Sequence, residues 1–289
     1  MNKLPPPDID DAAAFAALAN NPRVGSFPRL QGSVPVVTAG YAQYQDAAGN
    51  GFAVARVPLD AEVETLLRAH YQKPPTVLKY INDIRLESEH RVCPMCGSLH
   101  SGTLDHLLPK EDYAAFAVFS LNLVPACKCN TRRGRILLGN APDERILHPY
   151  FDDCLSDRLI AARFDDLGAI PRVSLQLCVF PGHAQYQAIS FHKRLIVERT
   201  AILRHFADGW TRLCQRPRLA IRALANIPTG PEQLQATLVD EVELLDQEHG
   251  GKNNWNSAFV MGLLDPHVID WLYERLTAPG RAADGPLVA

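Results

Sequence analysis

With 289 residues, 47% of them hydrophobic, the chain has material for one large or two ordinary domains, which excludes global disorder. Its net charge of −3 excludes a protein that holds a long polyanion through bulk charge alone, because nonspecific nucleic-acid binding scales with neutralised phosphates. The start, MNKLPPPDIDD, lacks the apolar stretch of a signal peptide, and the most apolar window, SAFVMGLLDPHVIDWL, is interrupted by Asp and Pro; a soluble, cytoplasmic protein is expected.

The run IDDAAAFAALAN opens at its acids as a short helix with Phe15 and Leu18 on one face. From Asn20 to Gly40 the chain is rich in Pro, Gly and Val and has no sustained period. VETLLRAH reads as a helix with Asp60 as N-cap; Pro74-Pro75 stops it and Thr76 to Ser88 restarts one. These residues, 1–88, form a mostly helical N-terminal region.

Residues 89–140 are different. The row RVCPMCGSLHSGTLDHLLPKEDYAAFAVFSLNLVPACKCNTRRG holds four of the seven cysteines. In a reducing compartment such a cluster is more often a metal site than a disulfide framework. Cys93 and Cys96 are spaced as a zinc knuckle, with Gly97 at the turn, and Cys127 and Cys129 supply the other half. Four thiolates make a closed tetrahedral Zn²⁺ site, which is structural, and a module this small needs that staple. Cys154, Cys178 and Cys214 are expected to be buried small hydrophobes. Lys128, Arg132, Arg133 and Arg135 form a local basic face, and Arg132 and Arg133 are expected to contact phosphate.

Residues 141–277 read as a strand-plus-helix region. RLIAARFD and RVSLQLCVF look like strands. Ser190 is placed to cap one long helix through Phe191, Leu195, Ile202, Phe206 and Leu213, ended by Pro217. A helix follows from Pro231 to about Gln247, stopped by Gly250-Gly251, then one or two more between Asn254 and Leu276. Residues 278–289 are expected to be a loose tail.

The joint order of knuckle, LDH-x-x-PK, NLVPAC and Cys-Asn resembles the HNH, or ββα-metal, endonuclease family in its four-cysteine form. The fold class it implies is α+β: a small ββα module with structural zinc, embedded in a predominantly α-helical chain. The resemblance implies metal-dependent hydrolysis of nucleic-acid phosphodiesters, with DNA favoured over RNA. Asp105 and Asn130 would hold a catalytic Mg²⁺ or Mn²⁺, His106 would be the general base, and Asn122 would brace the catalytic loop. A carboxylate and an amide oxygen are hard ligands suited to such ions, and a neutral imidazole can accept a proton from water. Lys110, in the PK step, is either a phosphate contact or a solvated loop lysine.

One feature departs from the family. Its second cysteine pair is usually Cys-x-x-Cys, whereas Cys127-Lys128-Cys129 is one residue short. A four-cysteine site, a three-cysteine site and a lost site all stay open, with His100 as a possible substitute ligand. More loosely, the chain looks like HNH nucleases of bacterial anti-phage defence, including the Septu type that works with an ATPase partner. The flanking helices fit docking or plain scaffolding. The alternative to a nuclease is a catalytically inactive zinc-stabilised module that binds nucleic acid or protein.

Overall fold

A computed structural model describes residues 1–87 and 92–288. The expected end of the N-terminal region and the first residues of the cysteine module, 88–91, lie outside the described residues. Among the described residues the fold is mixed α/β and mainly helical, with two separate two-stranded antiparallel sheets. No helix is long and apolar enough to cross a membrane.

The first helix, α1 (Asp11–Ala19), starts where Asp10 accepts a hydrogen bond from the Ala13 amide. Next comes α2 (Val34–Asp46), in the stretch where the sequence shows no regular period. Pro35 suits a first helical turn, and Val37, Tyr41 and Tyr44 fall on one buried face. Packing sustains this helix against its β-branched and Gly content: the Tyr41 ring stacks on Phe119 at 4.2 Å, and Tyr44 meets Phe116 and Phe119 edge-on. α3 (Ala61–Gln72) and α4 (Tyr80–Glu87) follow; Asp60 stands at the N-cap of α3 without a side-chain capping bond.

β1 (Thr103–His106) pairs antiparallel with β2 (Leu123–Ala126), with Asp105 opposite Val124 and His106 opposite Leu123. The chain then turns directly into a short helix, α5 (Cys129–Arg133). One core joins α1 to α4 to this hairpin and its loop through Phe15, Tyr44, Leu67, Phe116, Phe119 and Leu123.

A second core gathers the later elements. β3 (Ile160–Asp165) pairs with β4 (Arg172–Leu177) in the register Ile160 opposite Leu177. The expected single long helix is interrupted. α6 (Tyr186–His192) begins ahead of Ser190, passes through a π-turn at Lys193–Val197, and α7 (Ile202–Gln215) starts afresh. The break is local chemistry: the Thr200 hydroxyl donates to the Val197 carbonyl and accepts from the Ile202 amide. On α7, Ile202, Phe206, Trp210 and Leu213 form the buried stripe.

The next helices are α8 (Pro217–Ala220), α9 (Pro231–Glu248), α10 (Trp255–Leu263) and α11 (Pro266–Leu276), the last two capped by Asn254 and Asp265. α10 lies against β3, where a Cβ at Gly262 would sit 2.4 Å from the Ala162 carbonyl oxygen. Two expectations are corrected in this half. The last residues are not loose: Leu287 is buried, its amide donates to the Cys214 carbonyl, and Asp284 pairs with Arg216 and Arg218. Cys178 is exposed, whereas Cys154 and Cys214 are buried.

Candidate functional site

The cysteine cluster forms where a turn at Cys93–Cys96 meets the end of β2 and the start of α5. Gly97 makes the turn possible. Its φ is +80°, and an added Cβ would lie 2.0 Å from the Asn253 carbonyl oxygen. The four cysteine sulfurs lie within 4.8 Å of one another, with Cys93 to Cys129 at 3.6 Å and Cys96 to Cys127 at 3.5 Å. A tetrahedral site with Zn–S near ~2.3 Å has edges of about 3.8 Å. The set therefore fits Zn²⁺, and the short Cys127-Lys128-Cys129 step still brings both thiols in.

Backbone amides help the tight step. The Cys127 amide donates to the Cys93 sulfur and the Cys129 amide to the Cys127 sulfur, each at 3.3 Å. Hydrogen bonds among the four thiols lower the Cys127 pKa and raise that of Cys129, so the crowded group shares its protons. His100 is exposed and stands outside the set.

The knuckle is also tied to the rest of the chain. The carbonyls of Pro94, Met95, Cys96 and Gly97 accept from the Asn2 amide, the His192 ring, the Trp255 indole and the Trp255 amide. His192 takes the Leu147 amide on Nδ1, so Nε2 carries the proton given to Met95.

Asp105 and His106 close β1. Neighbouring side chains on a strand face opposite ways, yet this pair converges. The Asp105 carboxylate folds back to accept the His106 amide at 2.8 Å, which brings Oδ1 to 3.9 Å from His106 Nδ1. His106 is 2% exposed, under the Tyr71 ring of α3 at a centroid distance of 4.2 Å. Its Nε2 donates to the Ala117 carbonyl at 2.8 Å, while Nδ1 is buried without a protein partner. Burial pushes its pKa down to about 4, so the ring is neutral at neutral pH with its lone pair on Nδ1.

These residues line one open cavity of about 280 Å³ with Pro109, Lys110, Glu111, Asn130, Arg133 and Arg135. Lys110 pairs with Glu111 at 3.1 Å and lies over the Tyr71 ring. Asn122 is fully buried beneath the loop. Its Oδ1 accepts the Leu108 amide at 2.8 Å, and its Nδ2 donates to the Leu108 and Phe116 carbonyls.

Asn130 lies beside Asp105, but not with its oxygen forward. Its Nδ2 donates to Asp105 Oδ2 at 2.9 Å and to the His106 carbonyl, and its Oδ1 accepts from Arg133 Nε at 2.6 Å. In this arrangement Asn130 orients the carboxylate through its Nδ2, and its Oδ1 is engaged by Arg133.

The basic run divides. Arg133, expected at the substrate surface, is 2% exposed and donates to the carbonyls of His106, Leu107 and Ile136. Burial lowers its pKa to about 10, so it stays charged and clamps the strand end. Arg132 donates to the Arg199 carbonyl and lines a separate cavity with Lys128 and Trp255. The exposed arginine at the Asp105–His106 cavity is Arg135, held by Asp112 at 2.6 Å. Sequence reasoning placed Arg135 in the basic run without giving it a site role, and missed Tyr71 and Glu111. Tyr71 follows buried Leu67 by one helical turn, the signal that could have found it.

No family model matches the chain, and no solved structure matches it. Among curated proteins, the chain is similar to "Protein ea31" of Escherichia phage lambda, at 34% identity over 104 residues, which is 34% of this chain. The similarity spans about a third (33%) of that phage protein's length.

Proposed function

We propose that the chain is a metal-dependent endonuclease of the HNH kind, hydrolysing phosphodiester bonds of nucleic acid, DNA ahead of RNA. The observation that carries this reading is one open cavity lined by Asp105, His106 and Lys110 above the buried Asn122, with the buried, unpartnered His106 Nδ1 at 3.9 Å from Asp105. His106 Nδ1 takes the proton of an attacking water, and the Ala117 carbonyl fixes which nitrogen does so. Lys110 offers positive charge to the phosphate from the loop. Mg²⁺ or Mn²⁺ held at Asp105 would stabilise the pentacoordinate phosphate and the leaving oxygen. For Asn130 to join as a second ligand its amide must turn, giving up its present bonds to Asp105 and Arg133.

That arrangement of Asn130 favours the second reading, a zinc-stabilised binding module without hydrolysis. The tetra-cysteine cluster also supports it more directly than it supports hydrolysis, because a closed four-thiolate site is structural. A variant separates them. Asp105→Ala should abolish both Mn²⁺ uptake, read by paramagnetic resonance, and plasmid cleavage, while zinc content and melting temperature stay unchanged. Cleavage retained in Asp105→Ala would put the chemistry elsewhere. Wild-type protein that binds DNA but neither takes up Mn²⁺ nor cuts would establish the binding module.

The biological extension rests on the resemblance alone: a cytoplasmic effector of bacterial anti-phage defence, working with an ATPase partner. The net charge of −3 supports it in one respect, since a partner can supply the affinity for a polyanion that this chain lacks.

A further inference from the structure

Asn122 does not stand alone beneath the loop. The Tyr44 hydroxyl, from α2, donates to Asn122 Oδ1 at 3.1 Å, and the same hydroxyl lies 3.1 Å from His148 Nε2. All three side chains are buried, at 0%, 0% and 1% exposure. The direction of every proton is fixed by backbone groups of unambiguous chemistry. The Tyr150 amide donates to His148 Nδ1 at 3.2 Å, so Nδ1 bears the lone pair and Nε2 bears the hydrogen. That hydrogen is shared between the Tyr44 oxygen and the Leu121 carbonyl, and because Nε2 offers no lone pair the phenolic proton goes to Asn122. The Leu108 amide donates to Asn122 Oδ1, which independently sets the amide's orientation.

From there Asn122 holds both ends of the loop that anchors His106. Nδ2 grips Leu108 and Phe116, and the Asn122 carbonyl accepts the Leu107 amide at 2.9 Å. Ala117, next to Phe116, supplies the carbonyl that orients the His106 ring.

We propose that His148 and Tyr44 are positioning residues, a hydrogen-bonded relay that sets the His106 imidazole through Asn122. The proposal rests on the nuclease reading for its consequence in catalysis, and on geometry for the relay itself. Two surroundings fit it. Gly49, with φ +64°, leaves room for the His148 ring, because a Cβ there would lie 2.3 Å from His148 Cδ2. Asp152, ion-paired with Arg145, accepts the His148 amide at 2.6 Å and fixes its backbone. Burial pushes the His148 pKa down to about 3 and the Tyr44 pKa well above its usual value, so both members stay neutral and able to donate.

Tyr44→Phe removes one hydroxyl and keeps the ring that packs on Phe116 and Phe119. A purely packing role predicts no change. The relay predicts that kcat for plasmid cleavage in Mn²⁺ falls about tenfold with KM unchanged, because a small misplacement of the base acts on the chemical step. Nitrogen-15 NMR of the imidazoles should show His106 as a single tautomer protonated at Nε2 in the wild type and as a mixture in Tyr44→Phe. The NMR arm needs no activity, so a chain that cuts nothing would end the nuclease reading while the tautomer result still decides the relay. Unchanged His106 signals in Tyr44→Phe would overturn the relay, as would an unchanged kcat in an active protein. Should Tyr44→Phe not fold, His148→Phe decides: it removes the donor to the Tyr44 oxygen while keeping a ring beside Gly49, and it should give the same mixed His106 tautomer and fall in kcat, whereas unchanged His106 signals would overturn the relay.

Discussion

His106→Ala is expected to lower the rate of phosphodiester cleavage by about 10²-fold or more while substrate affinity and zinc content stay at wild-type levels. On the proposed reading the ring would contribute one thing to the reaction, a lone pair on Nδ1 that has no hydrogen-bond partner. Its other nitrogen is committed to the Ala117 carbonyl, and Tyr71 covers its face. In that reading, affinity would come from other groups that line the cavity, Lys110 and Arg135, and from a cation held at Asp105. The loss should therefore appear in kcat and spare KM. The check is single-turnover cleavage beside an equilibrium binding measurement. A variant that binds and cuts like the wild type would remove His106 from the mechanism.

Stripping the zinc should unfold the region around β1, β2 and α5 and loosen its contact with the second core. Structural zinc in small cysteine modules is worth about 10–16 kcal/mol of apparent binding free energy, as much as a typical domain's whole stability of about 5–15 kcal/mol. The knuckle also anchors more than itself, since four successive carbonyls from Pro94 to Gly97 accept from Asn2, His192 and Trp255. Elemental analysis should find roughly one zinc per chain. Cys96→Ser, or a strong chelator, should lower the melting temperature sharply. Protein containing no zinc, with a melt unchanged by chelation, would contradict the structural-zinc account.

The sequence made the four-cysteine cluster and the place of Asp105 and His106 at the end of a strand legible because their signals are local. Cysteine spacing, a glycine after the second thiol and a prolonged loop between two short strands are readable in one window. The directions of side chains on α5 were not. Arg132 and Arg133 are neighbours, but successive helical residues are separated by about 100°. One therefore faces Arg199 and the other the carbonyls of His106 and Leu107. Asn130 shows the same limit, since its position is given by the cysteine before it and its amide orientation by Arg133 and Asp105. Tyr44 was out of reach for another reason: its partner Asn122 is 78 residues away in the chain. The break before α7 follows from one threonine hydroxyl, which a periodic reading of Leu195, Ile202 and Phe206 passes over.

The central claim is that the cavity at Asp105 and His106 cuts nucleic acid with a divalent ion other than the structural zinc. Its most direct test is cleavage of supercoiled plasmid by zinc-replete protein, with Mg²⁺ or Mn²⁺ supplied and then withheld, and with tRNA in parallel. The account predicts nicked and linear plasmid only when the second ion is present, with zinc content constant throughout. An intact plasmid and intact tRNA under every metal condition, from protein that retains its zinc and its fold, would contradict it.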